Sequence, residues 1–374
     1  MMSYVNDFTN GDGPHLSDLL PSVGAHLGVP GLDQDLIGLP PASRYVVVLV
    51  DGLGWDLLMR ACVDAPYAAG VIGDAVRVDV CRPTTTAASL MSLWTGASPG
   101  EHGIVGFSFE LDRPSRRSQP SQVITPLFVE EPVPSLPPVM DRMVDAGVAV
   151  SCVVPAEHVA SGLTRMGTRA AHMIGVDISK PHSRCREIQQ ASRRGQRSLV
   201  YVYEPRLDQV GHKYGVASDQ WRATLAIIDD FLFDLRQLLD DDVTVLVTGD
   251  HGMVDVAPED RVVIDDDPVL RDGVRLVGGE ARFRHLYTDQ PDQVARRWRD
   301  RLQDRASVMT RGEAVEAGIF GRVDPAYAPR IGDVVVQPTS TGAYLTRSFP
   351  GEFYLVGMHG GWTSQERSVP ILID

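Results

Sequence analysis

The sequence predicts an α/β protein with a mostly parallel central sheet, helices on both faces and a small α+β insertion. Three observations carry that prediction. Tyr45–Val50 (YVVVLV) is a continuous apolar run dominated by β-branched residues, as expected of a strand buried on both faces of a parallel sheet. Similar runs recur at Ala75–Val80, Val148–Val154, Ser198–Tyr203 and Val243–Val247, with helical patterns such as Asp219–Leu239 between several of them. From about Asp255 to Gly332 the pattern changes to short strands around one helical stretch.

Taken in order, residues 1 to about 40 are rich in Gly, Pro and Asp and are expected to form an arm packed on a core that spans 41–374. The first strand breaks at Asp51-Gly52-Leu53-Gly54, and Trp55–Arg60 then reads as helix. Leu90–Thr95 is helical, and Pro126–Pro138 (PLFVEEPVPSLPP) reads as a loop or rim. Val274–Val277, Arg282–Tyr287, a helical Pro291–Asp304 and Ser307–Thr310 make a small α+β unit, expected as a cap at about 256–330. Asp333–Gln337 is expected to return the chain to the core sheet.

Hydrophobic residues at 43% and charged residues at 22% fit a soluble globular chain, and 374 residues suffice to bury a core without a staple. The formal charge of −14 argues against a polymeric nucleic acid or an acidic membrane surface as partner, since both want a basic face. The four cysteines are scattered, which suggests free thiols in a reducing compartment. No basic-then-apolar leader opens the chain and no apolar run approaches a membrane span, so a cytoplasmic protein is expected.

In open α/β sheets ligands gather beyond the carboxyl ends of the strands. Asp51 follows the first apolar run, Asp208 and His212 follow SLVYVYEP, Asp250 and His251 follow VTVLVTG, and His359 follows Phe353–Val356. Each alone also fits a turn, a cap or a surface pair. Together they put three carboxylates and three imidazoles at one edge, enough for a site of two divalent ions. Pro83-Thr84-Thr85-Thr86 precedes a helix; such hydroxyls are commonly caps, yet one beside a helix N-terminus and a metal becomes a nucleophile.

These residues, in this order, resemble the alkaline phosphatase superfamily, and most closely its nucleotide pyrophosphatase/phosphodiesterase branch. The matching motifs are Pro83–Thr86 (PTxT), Asp208–Gly215 (DxxGHxxG), Asp250–Met253 (DHGM) and the late His359; Ser98–Gly106 resembles the stretch after the nucleophile helix. The resemblance runs from Asp51 to His359 and implies an alkaline phosphatase-like fold. It implies Thr86 as nucleophile, one ion on Asp208, His212 and His359, and another on Asp51, Asp250 and His251 with the Thr86 oxygen beside it. The implied activity is hydrolysis of phosphodiester or pyrophosphate bonds in small molecules such as nucleotides, through a phospho-threonine intermediate. Zinc is the expected metal of the mixed nitrogen and oxygen ligands, with manganese or iron also compatible.

The chain departs from that branch in two places. Where the branch has a phosphate-binding asparagine, this chain has Phe107 followed by Ser108, so Ser108 or a backbone amide is expected to replace the donor. Beside the nucleophile, where an aromatic is usual, stands Ala87. A phosphomonoesterase or phosphonate hydrolase of the superfamily therefore stays open, as does a metal-bound sensor without turnover. Cys81-Arg82-Pro83 superficially resembles a sulfatase motif, but its fifth position is Thr85 and not arginine.

Overall fold

A computed structural model describes residues 13–111, 123–126 and 136–374; residues 1–12 of the expected arm and most of the Pro126–Pro138 segment lie outside the described residues. In chain order the main strands are β1 (Arg44–Val50), β2 (Val76–Asp79), β3 (Ala149–Pro155), β4 (His172–Val176), β5 (Ser198–Glu204), β6 (Val243–Thr248), β7 (Leu276–Glu280), β8 (Phe283–Tyr287), β9 (Ala306–Thr310), β10 (Val334–Pro338) and β11 (Ser368–Ile373). The main helices are α1 (Leu19–His26), α2 (Trp55–Arg60), α3 (Thr86–Thr95), α4 (Pro181–Ser192), α5 (Arg206–Tyr214), α6 (Asp219–Leu238) and α7 (Pro291–Leu302).

Seven strands form the large sheet in the order β2-β11-β6-β1-β5-β3-β4. Its inner strands are parallel, β1 pairing with β5 and β6, and β3 with β5 and β4; β11 alone runs antiparallel, between β2 and β6. The apolar run of β1 explains the layers. Val47 and Leu49 face a core shared with α1 and α3, while Val46, Val48 and Val50 face one shared with α2, α4 and α6. A strand with no polar alternation is stable only with helices on both faces. Burying each such side chain contributes roughly 1.5–3 kcal/mol.

A second, antiparallel sheet has the order β7-β8-β10-β9 and carries α7. The run at 333–337 therefore joins this small sheet through β8 and β9 and does not return to the large one. Its valines announce a buried strand but carry no information on which sheet buries it. The strand that closes the large sheet is β11.

Two buried histidines tie loops to the frame. His102 accepts the N–H of Ile104 at Nδ1 (3.1 Å), and His285 accepts the N–H of Gly332 at Nδ1 (3.0 Å). Burial pushes their pKa values down to about 3 and about 4, with Arg330 adding to the effect on His102. In the unfolded chain both revert to about 6.5, so below that pH the unfolded state binds the extra protons. We expect stability to fall by ~1.4 kcal/mol per pH unit per histidine from about pH 6 down to about pH 4. Urea unfolding between pH 7 and pH 4.5 measures this; a flat profile would contradict it.

Candidate active site

The carboxyl ends of β1, β5 and β6 open on one side of the sheet, and their register sets the site. Asp51 follows β1 and its backbone N–H is bound by the Glu204 carbonyl at 2.9 Å. Gly52 adopts a φ of +80°, and a Cβ there would stand 3.1 Å from the Asp208 Cα, so the Asp-Gly turn needs glycine for both conformation and space. The Gly52 N–H binds Asp250 Oδ1 at 3.1 Å. Asp208 and His212, one turn apart on α5, face each other with Oδ2 and Nε2 3.3 Å apart.

Two groups result, Asp51 with Asp250 and His251, and Asp208 with His212 and His359; within each, the ligand atoms lie within 4.8 Å of one another. The groups adjoin, because the His251 and His359 rings stack with centroids 3.8 Å apart. His251 Nε2 lies 3.5 Å from both Asp51 Oδ1 and Asp250 Oδ2, and 3.1 Å from the Thr86 hydroxyl.

The residues fit metal ions on three independent grounds. Asp51 Oδ1, Asp208 Oδ1 and Asp250 Oδ2 are buried without any hydrogen-bond partner, an arrangement that is costly unless a cation is supplied. All three imidazoles face a backbone carbonyl through Nδ1: His212 that of Gly357 (2.9 Å), His251 that of Gly252 (3.0 Å) and His359 that of Thr84 (2.9 Å). Carbonyls only accept, so each Nδ1 carries the hydrogen and each Nε2 presents a lone pair to the carboxylates. Finally, burial, then the charges of Asp250 and Asp208, hold the Asp51 carboxyl well above the usual carboxylate range. Burial and the neighbouring His251 and His212 keep His359 neutral.

Thr86 opens α3 at the first helical position and is 8% exposed. Thr84 serves the frame: its hydroxyl donates to the Gly361 carbonyl (3.1 Å) and accepts the Gly360 N–H (3.0 Å), locking the loop that carries His359. Tyr203, kept protonated by burial and by the charge of Asp51, donates its hydroxyl hydrogen to Asp51 Oδ2.

Two cavities meet at Thr86. One of about 600 Å³ is lined by Asp51, Asp208, His359 and Glu280 together with apolar walls such as Phe107, Phe349 and Leu355. The other, of about 300 Å³, lies along α3 at Leu90 and Trp94 and is closed by Leu163 and Tyr201. His158 and Tyr203 line both. No lysine or arginine occurs among the described residues lining either cavity.

Of the two substrate-side residues read from the sequence, Phe107 lines the larger cavity. Ser108 does not: its hydroxyl is buried and donates to the Gly279 carbonyl at 2.8 Å, tying the small sheet to the core. His158 and Glu280 also line the larger cavity; no motif of the sequence singles them out, and only the fold brings them to the site.

The sequence matches the family model for type I phosphodiesterase / nucleotide pyrophosphatase over residues 45–362. The chain belongs to that family. Membership places it in the alkaline phosphatase superfamily, among metal-dependent phosphoester hydrolases. Solved structures share the fold. Murine ectonucleotide pyrophosphatase / phosphodiesterase 5 superposes with a TM-score of 0.68 at 17% identity, covering 88% of this chain and 87% of that one. An inactive variant of that murine protein, in complex with AMP, gives the same values. Phosphonoacetate hydrolase from Sinorhizobium meliloti 1021, in complex with phosphonoformate, gives a TM-score of 0.65 at 19% identity, covering 90% and 91%. Among the described residues no helix is long and apolar enough to cross a membrane.

Proposed function

We propose that this family member is a two-metal phosphodiesterase acting on small diesters or pyrophosphates such as nucleotides, through a covalent intermediate on Thr86. The observation that carries this reading is the place of the Thr86 hydroxyl, at the junction of two cavities and 3.1 Å from an unprotonated imidazole nitrogen. A diester has two organic substituents and needs two spaces; a monoester needs one.

Asp208, His212 and His359 would hold one ion, and Asp51, Asp250 and His251 the other, with the Thr86 oxygen beside the second. Zn²⁺ suits these donors best, and Mn²⁺ or iron also accepts them. Bound there, such ions make a neighbouring hydroxyl more acidic and neutralise a departing oxygen. Thr86 Oγ1 gives up its proton to solvent and attacks phosphorus, the bond to the leaving alkoxide breaks opposite it and the alkoxide takes a proton from solvent, and water then hydrolyses the threonyl ester, releasing the phosphoryl product and restoring the hydroxyl. The first N–H groups of α3, unpaired within the helix, take the role of the missing asparagine toward the phosphoryl oxygens. Tyr203 fixes the Asp51 carboxylate, and the Nδ1–H bonds fix the three rings, so the site is oriented before substrate arrives. The free thiols of Cys62, Cys81, Cys152 and Cys185 support a cytoplasmic setting.

Turnover of bis-p-nitrophenyl phosphate, p-nitrophenyl phosphate and a p-nitrophenyl phosphonate ester by zinc-loaded protein tests the reading. The diester is expected to have the highest kcat/KM, and a monoester preferred by orders of magnitude would overturn it. Filling the smaller cavity with Leu163→Phe should lower diester kcat/KM by about tenfold and leave the monoester within about twofold. A melting curve run alongside confirms that the variant folds.

A further inference from the structure

We propose that the smaller cavity is a specificity pocket for a compact substituent whose hydrogen-bond acceptor takes the hydrogen of the Tyr201 hydroxyl. The proposal rests on the reading above that a substituent of the ester enters this cavity, and adds what that substituent carries.

Tyr201 stands midway along β5, in register with Val47 of β1 and Cys152 of β3. Successive side chains of a strand point to opposite faces, so Tyr201 and Tyr203 share the face that carries α3. There the Tyr201 ring meets that of Trp94 edge to face, with centroids 5.9 Å apart. Trp94 is held in turn by Gly167 of the short helix Gly162–Gly167, where any Cβ would overlap the indole. Tyr201 is 1% exposed and Trp94 2%, so packing fixes this wall of the cavity.

The other hydroxyls of the lining are engaged within the protein. Ser161 donates to Thr164 Oγ1 (2.9 Å) and Thr168 to the Thr164 carbonyl (2.7 Å), while Thr86 faces His251 and Tyr203 donates to Asp51. The Tyr201 hydroxyl is buried without a hydrogen-bond partner. Burial, and then the charge of Asp250, keep it protonated, so it is a donor. The Trp94 N–H lies near its oxygen but makes no bond of good geometry. An indole N–H only donates, so it cannot take the hydroxyl hydrogen in any geometry. Leaving a buried donor unmet is costly, and the acceptor that meets it here comes with the ligand.

The remaining walls, Leu90, Val154 and Leu163, are apolar, so the acceptor belongs on an apolar frame. At about 300 Å³ the cavity has room for about ten groups of water size, ~30 Å³ each. That admits a keto-alkyl or a substituted phenyl group. It excludes a nucleoside, which is about twice as large and fits only the cavity of about 600 Å³.

The test is calorimetric binding of phosphate monoesters to zinc-loaded Thr86→Ala protein, in two pairs that differ only in the acceptor. One pair is 2-oxopropyl and 2-methylallyl phosphate; the other is 4-acetylphenyl and 4-isopropenylphenyl phosphate, which reaches deeper. In at least one pair the ketone should bind about tenfold tighter than its alkene twin. Adding Tyr201→Phe should remove that preference and leave the alkenes within about twofold, and filling the cavity with Leu163→Phe should remove it too. Equal affinities within both pairs would overturn the proposal, as would a ketone preference that survives either substitution. Ligand-free Tyr201→Phe should melt no lower than its parent, because the hydroxyl it loses has no acceptor in the protein. A clear drop would show that the folded protein already meets that hydroxyl, and would also overturn the proposal. Turnover of the matching p-nitrophenyl diesters by protein with Thr86 intact is a separate arm. If none is hydrolysed, the diesterase reading fails while the binding pairs still decide the role of Tyr201.

Discussion

Thr86→Ala is expected to abolish turnover, lowering kcat by on the order of 10⁴-fold or more, while the zinc-loaded protein should keep its metal and its fold. The size follows from what the side chain supplies: without its oxygen no covalent ester forms, and residual rate comes only from water and from binding. The loss leaves metal binding largely intact because the six carboxylate and imidazole groups assemble without Thr86. Thr86→Ser, which keeps the oxygen, should retain measurable activity. Acid-quenched protein with Thr86 intact should show, by peptide mass spectrometry, a phosphoryl adduct on the peptide spanning Thr86. Hydrolysis by Thr86→Ala at the rate of the parent protein would remove Thr86 from the mechanism.

Asp51→Asn is expected to have opposite effects on the metal-free and metal-loaded protein. Asp51 is fully buried beside Asp250 and Asp208, and both burial and those charges disfavour its ionised form. Without metal, replacing it by a neutral isostere relieves repulsion and should raise stability by roughly 1–3 kcal/mol. Asparagine can still accept from the Tyr203 hydroxyl, so the frame is kept. With metal, a charged ligand is lost, and affinity for the ion beside Thr86 should fall by about a hundredfold or more, taking activity with it. Thermal melts in chelator and in excess zinc measure both limbs. A variant less stable in chelator than the parent would show that the acidic cluster is not under strain when empty of cations.

The gathering of three aspartates and three histidines at one edge was legible in the sequence because these residues sit just past strands that announce themselves. YVVVLV must be covered on both faces, and that places Asp51 at the sheet's carboxyl edge; VTVLVT does the same for Asp250 and His251. The same logic misled for Val334–Pro338, since apolarity reports burial and not the identity of the partner strand. It also passed over β4, a short and largely exposed edge strand (HMIGV), and β11, whose antiparallel place depends on partners far away in sequence. In the sequence Ser108 stands where a phosphate donor is expected, but a hydroxyl answers to whatever acceptor the fold brings near, here the Gly279 carbonyl. Glu280 had no local signal at all. The formal charge of −14 describes the exterior; at the site, three carboxylates against two divalent ions would leave one positive charge in excess, which suits a small anion and not a long one.

The bonds on either side of Glu280 bear on the wall to which it belongs. Ser108 grips the strand end from the core, and Arg282 donates to Glu366, which in turn accepts the Gly361 N–H of the loop that carries His359. A hairpin fastened at both ends is a fixture and not a door. These bonds, one on each side, hold this wall of the larger cavity in place against the core.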